Sequence, residues 1–542
     1  MRVAISAWHV FGLRSALFCC LLLGGSTLAQ NAAPTSDPGD SNSSSEQNLS
    51  VADLARKERK DHTKEVQMSP EDAKKLFQAV DKIFAFAAED TGFPQHATVK
   101  RRLIGSADVE QLVRENEQKQ EFAQRFATAE MTMKKFGFLP RDFNLKEFLV
   151  QVNGKELAAY YDPETKTISL LNWIPLERQE PILAHELTHA LQDQNYGLKR
   201  FLKEPKPTAN PAAEQTEDDV PIARRAVVEG QAQVVLVDYL LAPLGRSLQT
   251  TPGLIYQMED PVVRATADSE LLHSAPMIMR EAGTFPYRSG LIFEGELLQS
   301  GGKQLAFAGA FARPPRTTHE ILQPKSYLDH EKLPLVHIPD MLPLLDGKYS
   351  VYDSGSIGEL DVRALIEQFG ERRVAADLSA SWLGGRYITF RNTAGATPDQ
   401  SPSTADLSLL YVSHWKSPQV AEHFARIYAA SVPQRYKNVT PQPAASCAGA
   451  KCPVSSVQFS TDEGPVIVEL WPDSAVVVSE SFDQPTAARL IDAVRTGSTE
   501  AHTDNSFDDE LGMRLYEVPG FSMFQSQIQR SVMEQLIGRI SR

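Results

Sequence analysis

Residues 184–194 read AHELTHALQDQ, and the rest of the chain is best read outward from them. His185 and His189 stand four apart, so on a helix both imidazoles project from one face, about one turn from each other. Such a pair supplies two ligands of a metal site. Glu186 lies one step round the same helix, too displaced to complete the pair but well placed to take a proton from a metal-held water. With 12 His and with Glu below the pooled 69 acidic residues in 542, chance supplies at most about 0.03 occurrences of HExxH per chain, so the pattern asks for a chemical reason. Helix context agrees with one. Ala184, Leu187, Ala190 and Leu191 are helix formers, the helix is expected to begin after Pro181, and Asn195-Tyr196-Gly197 offers a C-terminal cap.

A catalytic zinc takes three protein ligands and keeps one position open, so a third ligand is needed. The extended pattern HExxHxxGxxH does not supply it, because positions 192 and 195 hold Gln and Asn. The next apolar run does. PIARRAVVEGQAQVVLVDYLL, residues 221–241, starts with Pro221 at an expected first turn and places Glu229 among Val227, Val228, Gly230 and Ala232. A carboxylate in so apolar a setting is costly unless it is paired or bound to a metal. The small neighbours would let two helices approach closely. Glu229 is therefore expected as third ligand, the alternative being an ion pair with Arg225 one turn earlier. Asp193, one turn beyond His189, could orient an imidazole or stand solvated at the surface.

HELTHALQDQ followed by a helical AVVEGQA resembles the gluzincins, zinc metallopeptidases with two His from HExxH and a downstream Glu. YYDPETKTISLL at 160–171, PPRTTHEILQPKSY at 314–327 and WLGGRYITF at 382–390 also resemble exported bacterial members of that group. The resemblance implies one zinc ion per chain held by His185, His189 and Glu229, with Glu186 activating water. It departs at Gln233, where thermolysin-like enzymes carry an Asp four residues after the ligand Glu. A transition-state donor is sought among Tyr287, Arg288 and His319. The implied fold is α+β: a mainly helical gluzincin-like domain with a small β-sheet over 69–345, then a smaller helical and α+β region over 346–542.

Around this centre the local patterns place further elements. Ser69-Pro70 should start a helix whose apolar face is Ala73, Leu76, Phe77, Val80, Ile83 and Phe84, and a second helix is expected over 107–136. Residues 157–161 and 167–171 read as two strands joined by a turn at Asp162-Pro163-Glu164-Thr165. The second, directly before the metal helix, is expected at a sheet edge where an extended substrate could add. Past residue 345, a helix over 358–370 leads to an approximate ββα-ββα rhythm, with strands near 387–391, 407–414, 457–470 and 474–481 and helices near 419–430 and 485–494. The tail 522–542 is amphipathic. The acidic stretch 214–219 reads as a lid or a solvated loop.

Residues 1–29 read as a cleaved signal peptide, with Arg2 and Arg14, the apolar run 16–23 and small residues before a cut after Ala29. The polar linker 30–68 follows. Secreted or periplasmic placement follows from that reading, with no integral membrane segment left after cleavage. In an oxidising compartment Cys447 and Cys452 are expected to form a local disulfide. The 55 basic against 69 acidic residues give a net charge of -14, which argues against nucleic acid as partner. Two functions are carried forward: an exported zinc metallopeptidase acting on a peptide or protein, as an endopeptidase; and an inactive zinc-binding cell-envelope interaction protein. The sequence leaves the oligomeric state open.

Overall fold

The computed structural model describes residues 68–105, 120–148, 160–172, 176–202, 218–257, 274–334, 336–393, 402–444 and 452–496. The signal segment 1–29, all but the end of the linker, most of the acidic stretch 214–219, Cys447 of the expected bridge and the tail 522–542 lie outside the described residues.

Helix α1 (Pro70–Thr91) forms as its sequence dictates. The Ser69 hydroxyl accepts from the Asp72 amide at 3.1 Å, Pro70 takes the first turn, and Gly92 closes the helix in the left-handed region at φ 72°. Strand β1 (Lys100–Ile104) and helix α2 (Gln120–Phe136) follow, then the hairpin of β2 (Tyr160–Asp162) and β3 (Thr167–Leu171). Asp162 builds the turn, accepting from the Glu164 amide at 2.9 Å and the Thr165 hydroxyl at 2.7 Å. The hairpin matches the sequence reading, but the expected edge strand does not. β3 is the central strand of a three-stranded sheet, parallel to β1 and antiparallel to β2. Both its edges are occupied, because β1 arrives from more than 60 residues upstream. β2 lies against the helix that follows, and β3 meets the start of that helix through Leu171.

Helix α3 (Leu176–Tyr196) carries the HELTH segment and begins five residues before Pro181. Gln179 fixes its start by a two-way amide contact with Leu171 of β3, at 3.2 and 3.0 Å. Helix α4 (Asp219–Leu241) is apolar almost all round, long and apolar enough to cross a membrane by composition, and it is buried along nearly its whole length. An all-round apolar surface is what a helix covered on every side requires. α3 and α4 run antiparallel, since Tyr239 reaches Glu180 at 3.1 Å and Gln192 reaches the Val228 carbonyl at 3.0 Å. Helix α5 (Met277–Lys303) covers another side of α4. A Cβ on Gly230 would lie 2.4 Å from the Gly290 carbonyl oxygen, and one on Gly290 would lie 2.2 Å from that of Ala226. The close approach foreseen from Gly230 therefore occurs against α5.

A seven-stranded antiparallel sheet completes the α+β fold. Its strands are β4 (Tyr349–Ser356), β5 (Trp382–Asn392), β6 (Leu407–Trp415), β7 (Thr440–Gln442), β8 (Ser455–Thr461), β9 (Gly464–Leu470) and β10 (Ala475–Glu480), in the order β4-β5-β6-β10-β9-β8-β7. The run read as one strand over 457–470 is two, turned by Asp462-Glu463 and Gly464 at φ 111°. The sheet is covered on both faces. Tyr387, Tyr411, Val466 and Val478 belong to the large core that also contains Phe136 and the helices, while Ile388, Leu410, Ile467 and Val477 belong to a smaller core with Leu490 and Ile491. The chain passes residue 345 without a break in the large core: the Phe136 ring meets Tyr387 at 5.2 Å and Tyr411 at 5.5 Å. Beside it, buried Lys135 is held by Glu463 at 2.9 Å and the Ser481 hydroxyl at 2.7 Å.

Two predictions follow from the helical packing. Gly290→Val must push α5 away from the Ala226 and Gly230 backbone, so it should destabilise by about 2 kcal/mol or more, read from urea unfolding, whereas Gly253→Ala, with open space around its Cβ position and no left-handed backbone, should cost less. The second concerns Asp238 on α4, which faces Asp90 of α1 and Lys303 of α5, with Lys303 Nζ 2.5 Å from Asp90 and the Leu248 amide donating to Asp238 at 2.6 Å. Burial, then the Asp90 charge, pushes the Asp238 carboxyl up to about 7. A raised acid favours the protonated fold, so its stability contribution is present below the ordinary carboxyl range and lost as pH rises through about 7. Asp238→Asn should accordingly show a smaller fall in urea midpoint between about pH 5 and pH 8 than the wild type; equal falls would remove Asp238 as the cause.

Candidate metal centre

α3 and α4 bring the three expected ligands together. The four-residue spacing puts the His185 and His189 rings on one face of α3, centroids 4.7 Å apart and 87° between planes. Glu229 enters from α4. Its Oε2 lies 3.2 Å from His185 Nε2 and 3.5 Å from His189 Nε2, and the two Nε2 atoms are 3.1 Å apart. All three residues are at least nine-tenths buried, and together they form a group able to hold a metal ion. The donor triangle can be checked against a known ion. Zinc bonds of about 2.0–2.2 Å at tetrahedral angles separate ligand atoms by about 3.3–3.5 Å, close to the 3.1–3.5 Å found here. Two imidazole nitrogens and one carboxylate oxygen are also the donor types such an ion prefers.

The electrostatics of the three side chains are interdependent. For Glu229, burial alone would raise the carboxyl, but His189 and His185 more than reverse it and hold the group well below the usual carboxylate range. Burial pushes His185 down to about 4, with Glu229 opposing. His189 moves the other way, up to about 9, because the Glu229 charge and hydrogen bond outweigh its burial. Without a cation, the buried Glu229 charge thus draws a proton onto His189. A bound cation would take over that compensating role and leave both imidazoles neutral.

Around the triangle, the structure places each remaining candidate. Glu186 is fully buried, and its Oε2 accepts from the Tyr161 amide of β2 at 2.9 Å. The same tyrosine anchors its hydroxyl on Asp193 Oδ2 at 2.9 Å, so β2 grips α3 at two points two turns apart. Asp193 does not orient an imidazole. It binds Tyr161, Lys166 and the Leu198 amide, and Gln192 instead meets His189 Nδ1 at 2.9 Å. Tyr287 on α5 is fully buried, its hydroxyl lacks a hydrogen-bond partner within bonding distance, and burial with the nearby Glu229 charge raises its pKa. Arg225 stands beside both, its Nε 3.9 Å from Glu229 Oε1. The ion pair weighed as an alternative and the ligand geometry therefore coexist on different oxygens of one carboxylate.

Arg288 and His319 are committed elsewhere. Arg288 pairs with Glu281 at 2.9 Å. His319 Nδ1 lies 2.5 Å from Glu359, its other nitrogen is 3.7 Å from Glu331, and Trp382 packs against its ring. None of these named partners is a residue of the triangle. The sequence reading overlooked the Tyr161 amide, Gln192 and Gln231. A backbone donor leaves no compositional signal, but Gln192 stands three after His189, a spacing that faces it on a helix. Comparison with known protein families, with curated proteins and with solved structures finds no match to this chain.

Proposed function

We propose that the protein is an exported zinc metallopeptidase of the gluzincin type, hydrolysing peptide bonds in a peptide or protein substrate. The observation that carries the reading is the buried triangle of His185, His189 and Glu229 nitrogen and oxygen atoms, 3.1–3.5 Å apart, with Glu186 on the same helix. When bound there, zinc supplies Lewis acidity and a water of lowered pKa. The chain's own groups do the rest. Glu186, steadied by the Tyr161 amide, accepts a proton from water and returns it to the departing amine. Tyr287, whose buried hydroxyl stands beside Glu229 and Arg225, is the donor for the developing oxyanion. Export and the Cys447–Cys452 bridge belong to the same proposal.

One observation favours a second reading. Glu186 and His185 are fully covered, as in a metal site that holds a fold or an interaction surface together without turnover. The two readings diverge at Glu186. Elemental analysis of the purified chain should find one zinc per molecule, lost in His189→Ala and in Glu229→Ala. Glu186→Gln should keep the metal and lower peptide hydrolysis by about 10²- to 10⁴-fold; metal retention with no hydrolysis in the wild type would establish the second reading, and a chain that cannot be loaded with any metal would end both. Tyr287→Phe should lower kcat by about 10²-fold with metal content unchanged. An effect on KM alone would remove it as the oxyanion donor.

A further inference from the structure

His189 is held from behind by two amides in series. Its Nδ1 lies 2.9 Å from Gln192 Oε1, Gln192 Nε2 lies 3.0 Å from both the Val228 carbonyl and Gln231 Oε1, and Gln231 Nε2 lies 2.8 and 3.1 Å from the Ala306 and Phe307 carbonyls. Both glutamines are fully buried. Backbone carbonyls only accept, so the direction of every bond is determined. The Gln231 nitrogen donates to residues 306 and 307, which leaves its oxygen to accept from Gln192. The Gln192 nitrogen donates to Gln231 and to Val228, which leaves its oxygen facing His189. An acceptor at Nδ1 requires an N–H there, and in a neutral imidazole the lone pair then sits on Nε2, the atom that faces His185 and Glu229.

We infer that Gln192 and Gln231 are positioning residues that fix His189 as the Nδ1–H tautomer and aim its Nε2 lone pair at the metal position. The inference rests on the metal-site reading above. The relay is rigid because all four amide N–H groups are used within it. Its far end is the π-helical turn Gln304–Gly309, which follows a break at Gly302 with φ 65°. That turn is itself pinned to the metal helix: Phe311, just beyond it, stacks on Tyr196, the last residue of α3, at 4.0 Å and 1°. The ligand and its anchor are thus fixed on one frame.

The test measures zinc affinity by competition with a chromophoric chelator, alongside urea unfolding of the metal-free chain. Gln192→Leu removes the acceptor and should raise the zinc Kd about 10- to 100-fold. Gln231→Leu, one step further back, should raise it less. Gln192→Glu keeps an acceptor at Nδ1 but loses both N–H donors to Val228 and Gln231, so it should bind zinc more weakly than wild type yet more tightly than Gln192→Leu, although its buried charge should unfold the metal-free chain more easily than Leu does. A purely structural role predicts the opposite order, with Glu the weaker zinc binder. Wild-type affinity in Gln192→Leu, or equal losses in Leu and Glu, would overturn the inference while leaving the metal site standing. A wild-type chain that takes up no zinc would overturn both.

Discussion

A carboxylate buried among apolar helices must be compensated, and that constraint organises the centre of this molecule. Glu229 sits on a helix whose neighbours Val227, Val228 and Ala232 are all buried. Taking an isolated charge into such surroundings costs several kcal/mol even after relaxation. Two imidazoles within 3.5 Å and Arg225 at 3.9 Å provide part of the compensation, and a cation bound to the triangle would complete it. The need for compensation also explains why α3 and α4 must meet in one register: sliding them by a turn would separate the carboxylate from the nitrogens and leave it unpaired.

Holding that register falls to parts of the fold that carry no chemistry. α4 is covered on several sides, and the Gly230–Gly290 contact lets α5 lie against its backbone. Gln179 ties the start of α3 to β3, and Tyr161 ties its middle and its last turn to β2. The seven-stranded sheet contributes through the same apolar core, since Phe136 packs on Tyr387 and Tyr411. Interiors are close-packed and transmit displacement, so the sheet is part of the frame around the His185, His189 and Glu229 cluster and not an appendage to it.

What could be read from the sequence was local. HExxH depends on helical spacing, and the Ser69-Pro70 start and the 162–165 turn depend on short-range hydrogen bonds, so these features were legible. Glu229 could be found because a carboxylate in an apolar run is anomalous by itself. The misses were long-range or disguised. β3 was taken for an edge because its second neighbour, β1, lies far upstream. α5 went unrecognised because Gly283, Pro286, Gly290 and Gly295 interrupt its pattern, although the glycines serve packing: Gly290 lies on α4 and Gly295 against Ile255. Arg288 pairs with Glu281 two turns back on the unrecognised α5, and His319 contacts Glu359, 40 residues away, so neither partner was evident.

The division of labour between Gln192 and Asp193 has a physical logic. Adjacent residues on a helix point in different directions, so only one of them can face His189. Here it is the neutral one. Asp193 is turned aside and compensated by Lys166 and the Tyr161 hydroxyl. A carboxylate at His189 Nδ1 would have put a second negative charge beside Glu229 and made the imidazole a stronger base. The amide fixes the tautomer without adding charge, leaving Glu229 as the single anionic ligand. A divalent cation held by two neutral imidazoles and that one carboxylate would leave the centre a net charge of about +1, and with it the Lewis acidity that the proposed hydrolysis would use.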